Sequence, residues 1–192
     1  MRFILASGSP RRRALLEAAG FDFDVEESGI EEALRAGEPG EAFAQRVARE
    51  KALRVAASRP TESLILGADT VVVLDGETLG KPADAAEARR MLLRLSGRTH
   101  QVHTAVCLVS TPQEVTAEAL ETTRVTFRDL DEREIQDYIA SGEPFDKAGG
   151  YGIQGRASKF VSGLEGSYSN VVGLPVERVA EMLRPLLDSG SA

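Results

Sequence analysis

The sequence predicts an α/β fold, a mixed twisted sheet flanked by helices. Three observations carry this expectation. Short apolar runs recur between amphipathic stretches, the pattern of strands joined by helices. Asp75-Gly76, directly after the apolar run ending at Leu74, is a tight-hairpin signal and calls for an antiparallel neighbour. Residues 114–127 alternate, with Val115, Ala117, Ala119, Thr123, Val125 and Phe127 in step, and make a strand pair with 102–109. Hairpins and crossover helices in one chain imply a sheet of mixed direction.

Each element has its own local cause. Phe3, Ile4 and Leu5 make residues 2–6 a buried strand. Ser9 suits an N-cap and Pro10 a first helical position, so 10–19 is a helix that Gly20 stops. A second helix covers 39–57, with Phe43, Val47 and Val55 near one face. Within 64–74, two apolar runs are interrupted by Gly67-Ala68-Asp69-Thr70. Asp84 and Glu87 form a capping box for a helix over 84–95, and Gly97 ends it. Asp131 and Glu134 open another helix over 131–140. A glycine-rich stretch spans Gly149–Gly155, short strands are expected near 158–161 and 168–173, and a last helix covers about 175–187. The chain reads as one domain over 1–192, with 188–192 a frayed tail.

Composition narrows the function. A net charge of −7 argues against a nucleic-acid coat. A small anionic ligand in a pocket fits an acidic chain with a local basic cluster better. With one cysteine, Cys107, and two histidines, His100 and His103, neither a disulfide framework nor a Cys/His zinc cluster can form within the chain. Cys107 lies in an apolar run and reads as core filler. No run approaches the roughly 20 apolar residues of a membrane span, and Met1-Arg2 leads straight into a strand rather than a signal peptide. The expected compartment is the cytoplasm, with neither nucleic acid nor membrane as partner.

The chemistry concentrates in a few places. Residues 5–13, Leu-Ala-Ser-Gly-Ser-Pro-Arg-Arg-Arg, put two hydroxyls and a glycine in a turn that opens into a helix. Free N–H groups there, beside Ser7, Ser9, Arg11 and Arg12, suit a polyanion. The plainer reading is a capped helix start with solvated arginines, but three arginines at the positive end of a helix dipole ask for a compensating anion. Asp69 sits among apolar residues and must be paired, protonated or metal-bound, unless it merely orients a turn. Glu31-Glu32 reads as a solvated face, or as a source of a second carboxylate ligand. Two carboxylates without a His/Cys cluster favour Mg²⁺ or Mn²⁺ over zinc. Lys51 and Lys81 are candidate phosphate clamps, each with a surface lysine as the bland alternative. The segment Asp146–Gly155, with four glycines in ten residues, allows close backbone approach, and its alternating Tyr151 and Ile153 suggest order rather than a floppy loop.

The blocks LASGSPRR (5–12), LGADTVVVLDGETLGKPAD (66–84), LSGRTHQVHTAV (95–106), GEPFDKAGGYGIQG (142–155) and SYSNVVGLPV (167–176) resemble the Maf family of nucleoside triphosphate pyrophosphatases. The resemblance covers about residues 3–180. It implies an inosine-triphosphatase-like architecture with an active-site cleft between two lobes, and a homodimer. It further implies phosphate binding by Ser7, Ser9, Arg11, Arg12, Lys51 and Lys81. Glu32 and Asp69 would hold a divalent metal, and Asp69 would also be the catalytic base. Arg11, Thr70 and Gln154 would set substrate choice. YGIQG is similar to the branch acting on dTTP and UTP, where a Gln amide complements the adjacent donor and acceptor of thymine or uracil. Two positions depart from the pattern: His103, expected on a strand surface, where a bulky apolar residue is usual, and Ser167 where Asp is common. The implied reaction splits the triphosphate between its α- and β-phosphates. The competing expectation is a nucleotide-binding regulator of division or septum formation without essential catalysis.

Overall fold

A computed structural model describes residues 2–59, 62–112 and 114–188, without the side chains of residues 187 and 188. In chain order the elements are β1 (Arg2–Ala6), α1 (Pro10–Ala18), β2 (Asp24–Val25), α2 (Gly40–Ala56), β3 (Ser63–Leu74), β4 (Glu77–Leu79), α3 (Ala85–Leu95), β5 (Thr99–Ser110), β6 (Glu114–Phe127), α4 (Glu132–Ala140), β7 (Val161–Glu165), α5 (Tyr168–Val172) and α6 (Val176–Asp188). Short 3₁₀ turns cover Glu143–Asp146, Ala148–Gly150 and Arg156–Phe160. The sheet has seven strands in the order β2-β1-β3-β5-β6-β7, with β4 also pairing with β3. β1 runs parallel to both β2 and β3, and the remaining pairs are antiparallel. This is the expected mixed α/β sheet flanked by helices.

Strand parity divides the core. On β3 the odd residues Ile65, Val71 and Val73 pack with Phe43, Val47 and Val55 of α2. Even residues face the opposite side. Leu64 and Leu66 meet Leu16 of α1 and Val179 and Leu183 of α6. Val72 and Leu74 meet Leu92 and Leu95 of α3 and Ile135 and Tyr138 of α4. Side chains alternate across a strand, so one apolar strand can serve both layers. Gly67 marks the closest approach: a Cβ there would lie 2.1 Å from the Ala48 carbonyl oxygen and 2.9 Å from the Ala52 nitrogen, both α2 backbone.

β3 is also where the sheet opens. Along one edge, β1 pairs with residues 63–67 and β4 with Val72–Leu74. Residues 68–71 lie in the gap between those neighbours, while β5 lines their other edge without interruption. The segments leaving β1 and β4 flank this gap.

Several sequence expectations are corrected. Gly67–Thr70 does not interrupt β3, because pairing with β5 carries the strand through it. At α3 only half of the capping box forms. Asp84 caps the Glu87 N–H at 2.7 Å, but the Glu87 carboxylate accepts from the Ala83 N–H at 2.8 Å instead of from Asp84. The full box does form at Asp131 and Glu134. The strand expected near 158–161 is a 3₁₀ turn running into β7. The strand expected at 168–173 is helix α5. Its β-branched Val171 and Val172 yield to an N-cap, with Ser167 Oγ accepting from the Asn170 N–H at 3.2 Å, and to Gly173, whose φ of 131° stops the turn. His103 is not on the surface. As an odd residue of β5 it faces α2 and is buried, with Nδ1 2.9 Å from Thr122 Oγ1 and Nε2 3.4 Å from Glu41 Oε1. The tail expected to fray lies, from residue 189 onward, outside the described residues. Asp75 and Gly76 both take positive φ, 53° and 79°, as the hairpin requires. Cys107 is buried, and burial pushes its thiol up to about 12. Among the described residues, no helix is long and apolar enough to cross a membrane.

His100 anchors an aromatic cluster with Phe127 and Tyr151, and its Nε2 lies 2.7 Å from the Tyr151 hydroxyl. Burial pushes its pKa down from 6.5 to about 4.

Two stability predictions follow from this packing. Gly67→Ala overpacks β3 against α2 backbone and should cost roughly 1–3 kcal/mol. Gly80→Ala, with open space around it, should stay within about 0.5 kcal/mol. Urea denaturation measures both, and equal midpoints would refute the close approach. For His100, the unfolded chain binds a proton that the folded chain refuses. Stability is therefore present above pH 6.5 and is lost as pH falls from 6.5 toward 4. His100→Gln should flatten that dependence in a pH series of urea midpoints, leaving the smaller contribution of His103, also lowered by burial.

Candidate active site

The gap in the sheet opens into a cavity of about 690 Å³. Every site residue expected from the sequence lines it: Ser7, Ser9, Arg11 and Arg12 from the first turn, Glu32 from the loop before α2, and Lys51 from α2. Asp69 and Thr70 come from β3, Lys81 from beyond β4, and Gln154 from the glycine-rich segment. The core clusters on either side of the sheet meet here, so the cavity is a cleft reached by both layers.

Lys51 forms the floor. Its ammonium is buried and donates to Asp69 Oδ1 at 2.8 Å, with the Ala68 carbonyl at 3.4 Å, and it pairs with Glu32 Oε1 at 2.7 Å. Lys81, largely exposed, stands 3.8 Å from Glu32 Oε2. The placement follows from helix geometry. Val47 and Lys51 are one turn apart, so the lysine extends the apolar face of α2 toward β3, where Asp69, an odd residue, points at it. Burial raises the Asp69 pKa against the opposing charges of Lys51 and Arg12. Burial also acts to raise Glu32, but there Lys51, through its charge and hydrogen bond, prevails and holds the carboxyl below its ordinary value. Removing one member of the buried Lys51–Asp69 pair costs about 3–5 kcal/mol, because the other is left uncompensated.

Thr70, an even residue, faces the other way. Its Oγ1 accepts from Arg12 Nη2 at 3.0 Å and lies 2.9 Å from Thr104 Oγ1, which donates to the Asn170 carbonyl. Arg12 is buried and committed to the protein: Nε donates to the Gly173 carbonyl at 2.8 Å and Nη1 reaches Ser7 Oγ at 3.4 Å. Burial lowers its pKa, against the fields of Asp69 and Glu32. The expected solvent-directed phosphate clamp is therefore also a tie between α1, β3 and α5. Ser9 caps α1 by accepting from the Arg12 N–H at 3.4 Å, and Ser7 Oγ accepts from the Ser9 N–H at 3.2 Å. Arg11 spans the cavity to Asp146, Nη1 to Oδ2 at 2.9 Å. Only Arg13 is the surface arginine of the plainer reading, paired with Glu17.

Sequence reasoning gave no role to several residues that shape the site. Asn170 is fully buried, and its amide donates to the Val102 carbonyl at 3.0 Å and Thr123 Oγ1 at 2.9 Å, locking α5 onto β5 and β6. An amide inside the run ahead of Val171-Val172 was the available signal. Glu27 and Lys147 also line the cavity.

The donor set bears on a metal. Lys51 bonds one oxygen of each carboxylate, Glu32 Oε1 and Asp69 Oδ1. Among the described residues no group of three or more His, Cys, Asp or Glu stands ready to hold an ion. A buried and an exposed carboxylate lining one cation-lined cavity fit a hard divalent ion whose other ligands are phosphate oxygens and water.

Comparison with known proteins agrees with this geometry. The Maf-like protein family pattern matches residues 2–186. A dTTP/UTP pyrophosphatase of Koribacter versatilis is 52% identical over 184 residues, 96% of this chain and 94% of that protein. One from Salmonella typhimurium is 54% identical, covering 93% and 90%. One from Bacillus cytotoxicus is 49% identical, covering 100% and 98%. With the family pattern matching residues 2–186 and about half of all positions shared with these relatives along almost the whole length, the chain belongs to the Maf-like proteins.

Proposed function

We propose that this chain is a nucleoside triphosphate pyrophosphatase that hydrolyses dTTP and UTP to the monophosphate and pyrophosphate. The observation that carries the reading is a buried carboxylate, Asp69, held by Lys51 at the floor of a cavity whose walls bring Arg11, Arg12 and Lys81 together. The names of the relatives support the same substrates. They give no support to a regulator that only binds nucleotide.

In this mechanism water attacks the α-phosphorus and the leaving group is pyrophosphate. Asp69 accepts the proton of the attacking water, a role that its raised pKa suits. Lys51 orients Asp69 through its hydrogen bond and offsets charge on the phosphates. Lys81 stands free enough to neutralise the leaving pyrophosphate, and Arg11 exchanges Asp146 for phosphate oxygens. Ser7, Ser9 and the Arg11 N–H at the start of α1 bind the remaining oxygens. Glu32 and Asp69 would hold a Mg²⁺ or Mn²⁺ ion, which when bound polarises the phosphate oxygens and lowers the pKa of water. Thr70 and Gln154, with Arg11, select the nucleotide, the Gln154 amide matching the paired donor and acceptor of thymine or uracil. A cytoplasmic homodimer completes the proposal.

Asp69→Asn keeps the shape of the side chain and removes the base. Pyrophosphate release from dTTP should fall at least about 100-fold while nucleotide binding persists; undiminished release would remove Asp69 from the chemistry, and orthophosphate as product would make the enzyme a phosphatase. Gln154→Glu should depress dTTP and UTP turnover selectively, measured on a nucleotide panel with Mg²⁺. Equal loss on every nucleotide would separate Gln154 from the base.

A further inference from the structure

We infer that Glu143 is a positioning residue for nucleotide choice, holding Gln154 in place from outside the cavity; this rests on the pyrimidine-nucleotide reading above. Gln154 is exposed to the cavity, so its aim depends on its backbone. Its neighbours Tyr151 and Ile153 are buried, and Gly155 N–H donates to the Gly152 carbonyl at 3.1 Å, closing a turn around it. The space beside both glycines of that turn is filled by side chains from residues 143 and 147. A Cβ on Gly155 would lie 2.1 Å from Glu143 Oε2, and one on Gly152 would lie 2.7 Å from Lys147 Cε. Neither glycine is needed for its backbone angles; Gly155 has φ −95°, open to any residue. A side chain at either glycine would displace the end of Glu143 or of Lys147.

The two contacts differ in kind. The Lys147 stem lies over Gly152 and its ammonium donates to the Glu143 carbonyl at 2.7 Å, closing the 3₁₀ turn on itself. The Glu143 carboxylate reaches past Gly155 and accepts the Arg156 N–H at 3.0 Å. That bond pins the backbone on the far side of Gln154, at the start of the 3₁₀ turn Arg156–Phe160. The turn Glu143–Asp146 that carries Glu143 also meets Arg11 across the cavity, through Asp146. Glu143 thus fixes the backbone beside one specificity residue from a turn that touches another.

The test compares Glu143→Ala, Glu143→Gln and Gly155→Ala with the parent enzyme, using dTTP, UTP and dATP as substrates and inorganic tripolyphosphate as a base-free inhibitor. Loss of the Arg156 N–H acceptor should raise KM for dTTP and UTP about tenfold, the scale of one lost hydrogen bond, with kcat changed less than about threefold. The preference for dTTP over dATP should narrow by the same factor, and tripolyphosphate inhibition should stay within about twofold. Glu143→Gln retains an acceptor and should restore the parent values. Gly155→Ala displaces the carboxylate with its own methyl group and should reproduce the loss, which keeps the inference testable if Glu143→Ala does not fold. An unchanged preference in the folded variants, or an equal loss on all three nucleotides and tripolyphosphate, overturns the role of Glu143. Failure of the parent enzyme to release pyrophosphate from dTTP or UTP overturns the substrate reading instead.

Discussion

The ammonium of Lys51, buried between Asp69 and Glu32, is the contact on which the site depends. Its charge permits a carboxylate to sit in the middle of an otherwise apolar strand, and its hydrogen bond fixes which oxygen of Asp69 is engaged. It also ties the loop before α2 to the sheet through Glu32. The arrangement is costly in isolation, since ions taken out of water recover only part of the desolvation penalty from one another. A polyanionic ligand changes that account by adding negative charge where Arg11, Arg12 and Lys81 already stand. The buried charge is better explained by what enters the cavity than by the stability of the empty protein.

Around this contact the fold supplies a place rather than a chemistry. β1 stops at residue 67 of its neighbour and β4 begins at residue 72, so the central strand has an open edge for a few residues. Loops emerging from the ends of those strands carry the serine- and arginine-rich turn and Lys81. Ligands in open α/β sheets bind in just such crevices beyond the strand ends. The helices enforce the position from a distance: α2 delivers Lys51, and α5, locked by Asn170, delivers the Gly173 carbonyl that orients Arg12.

Much of this was legible in the residues. The helix starting at Pro10, the hairpin at Asp75-Gly76 and the long strand pair all announce themselves through local chemistry, and the structure places all the expected site residues around one cavity. The failures share a cause, which is tertiary context overriding a local pattern. Val171 and Val172 look like strand, but Ser167 and Asn170 satisfy the backbone as a helix. His103 looks like a polar strand surface, yet α2 covers the face to which its parity assigns it. Arg12 looks like a free cation until two partners distant in sequence, Gly173 and Thr70, engage its guanidinium. Parity can be counted from a sequence; which layer covers each face cannot.

That same parity gives the enzyme two separately adjustable halves. Asp69 turns toward Lys51 on one side of β3, and Thr70, its immediate neighbour, turns toward the side that carries Tyr151 and the Gln154 turn. Under the proposed roles, the base and one residue of nucleotide choice therefore occupy opposite faces of one strand, with Arg12 reaching the second face through Thr70. Under those roles, a substitution at Thr70 leaves the side of β3 that holds Asp69 and Lys51 in place. A one-residue insertion in β3 would exchange the two faces and destroy both. The strand is thus free to diversify by substitution and closed to change in length.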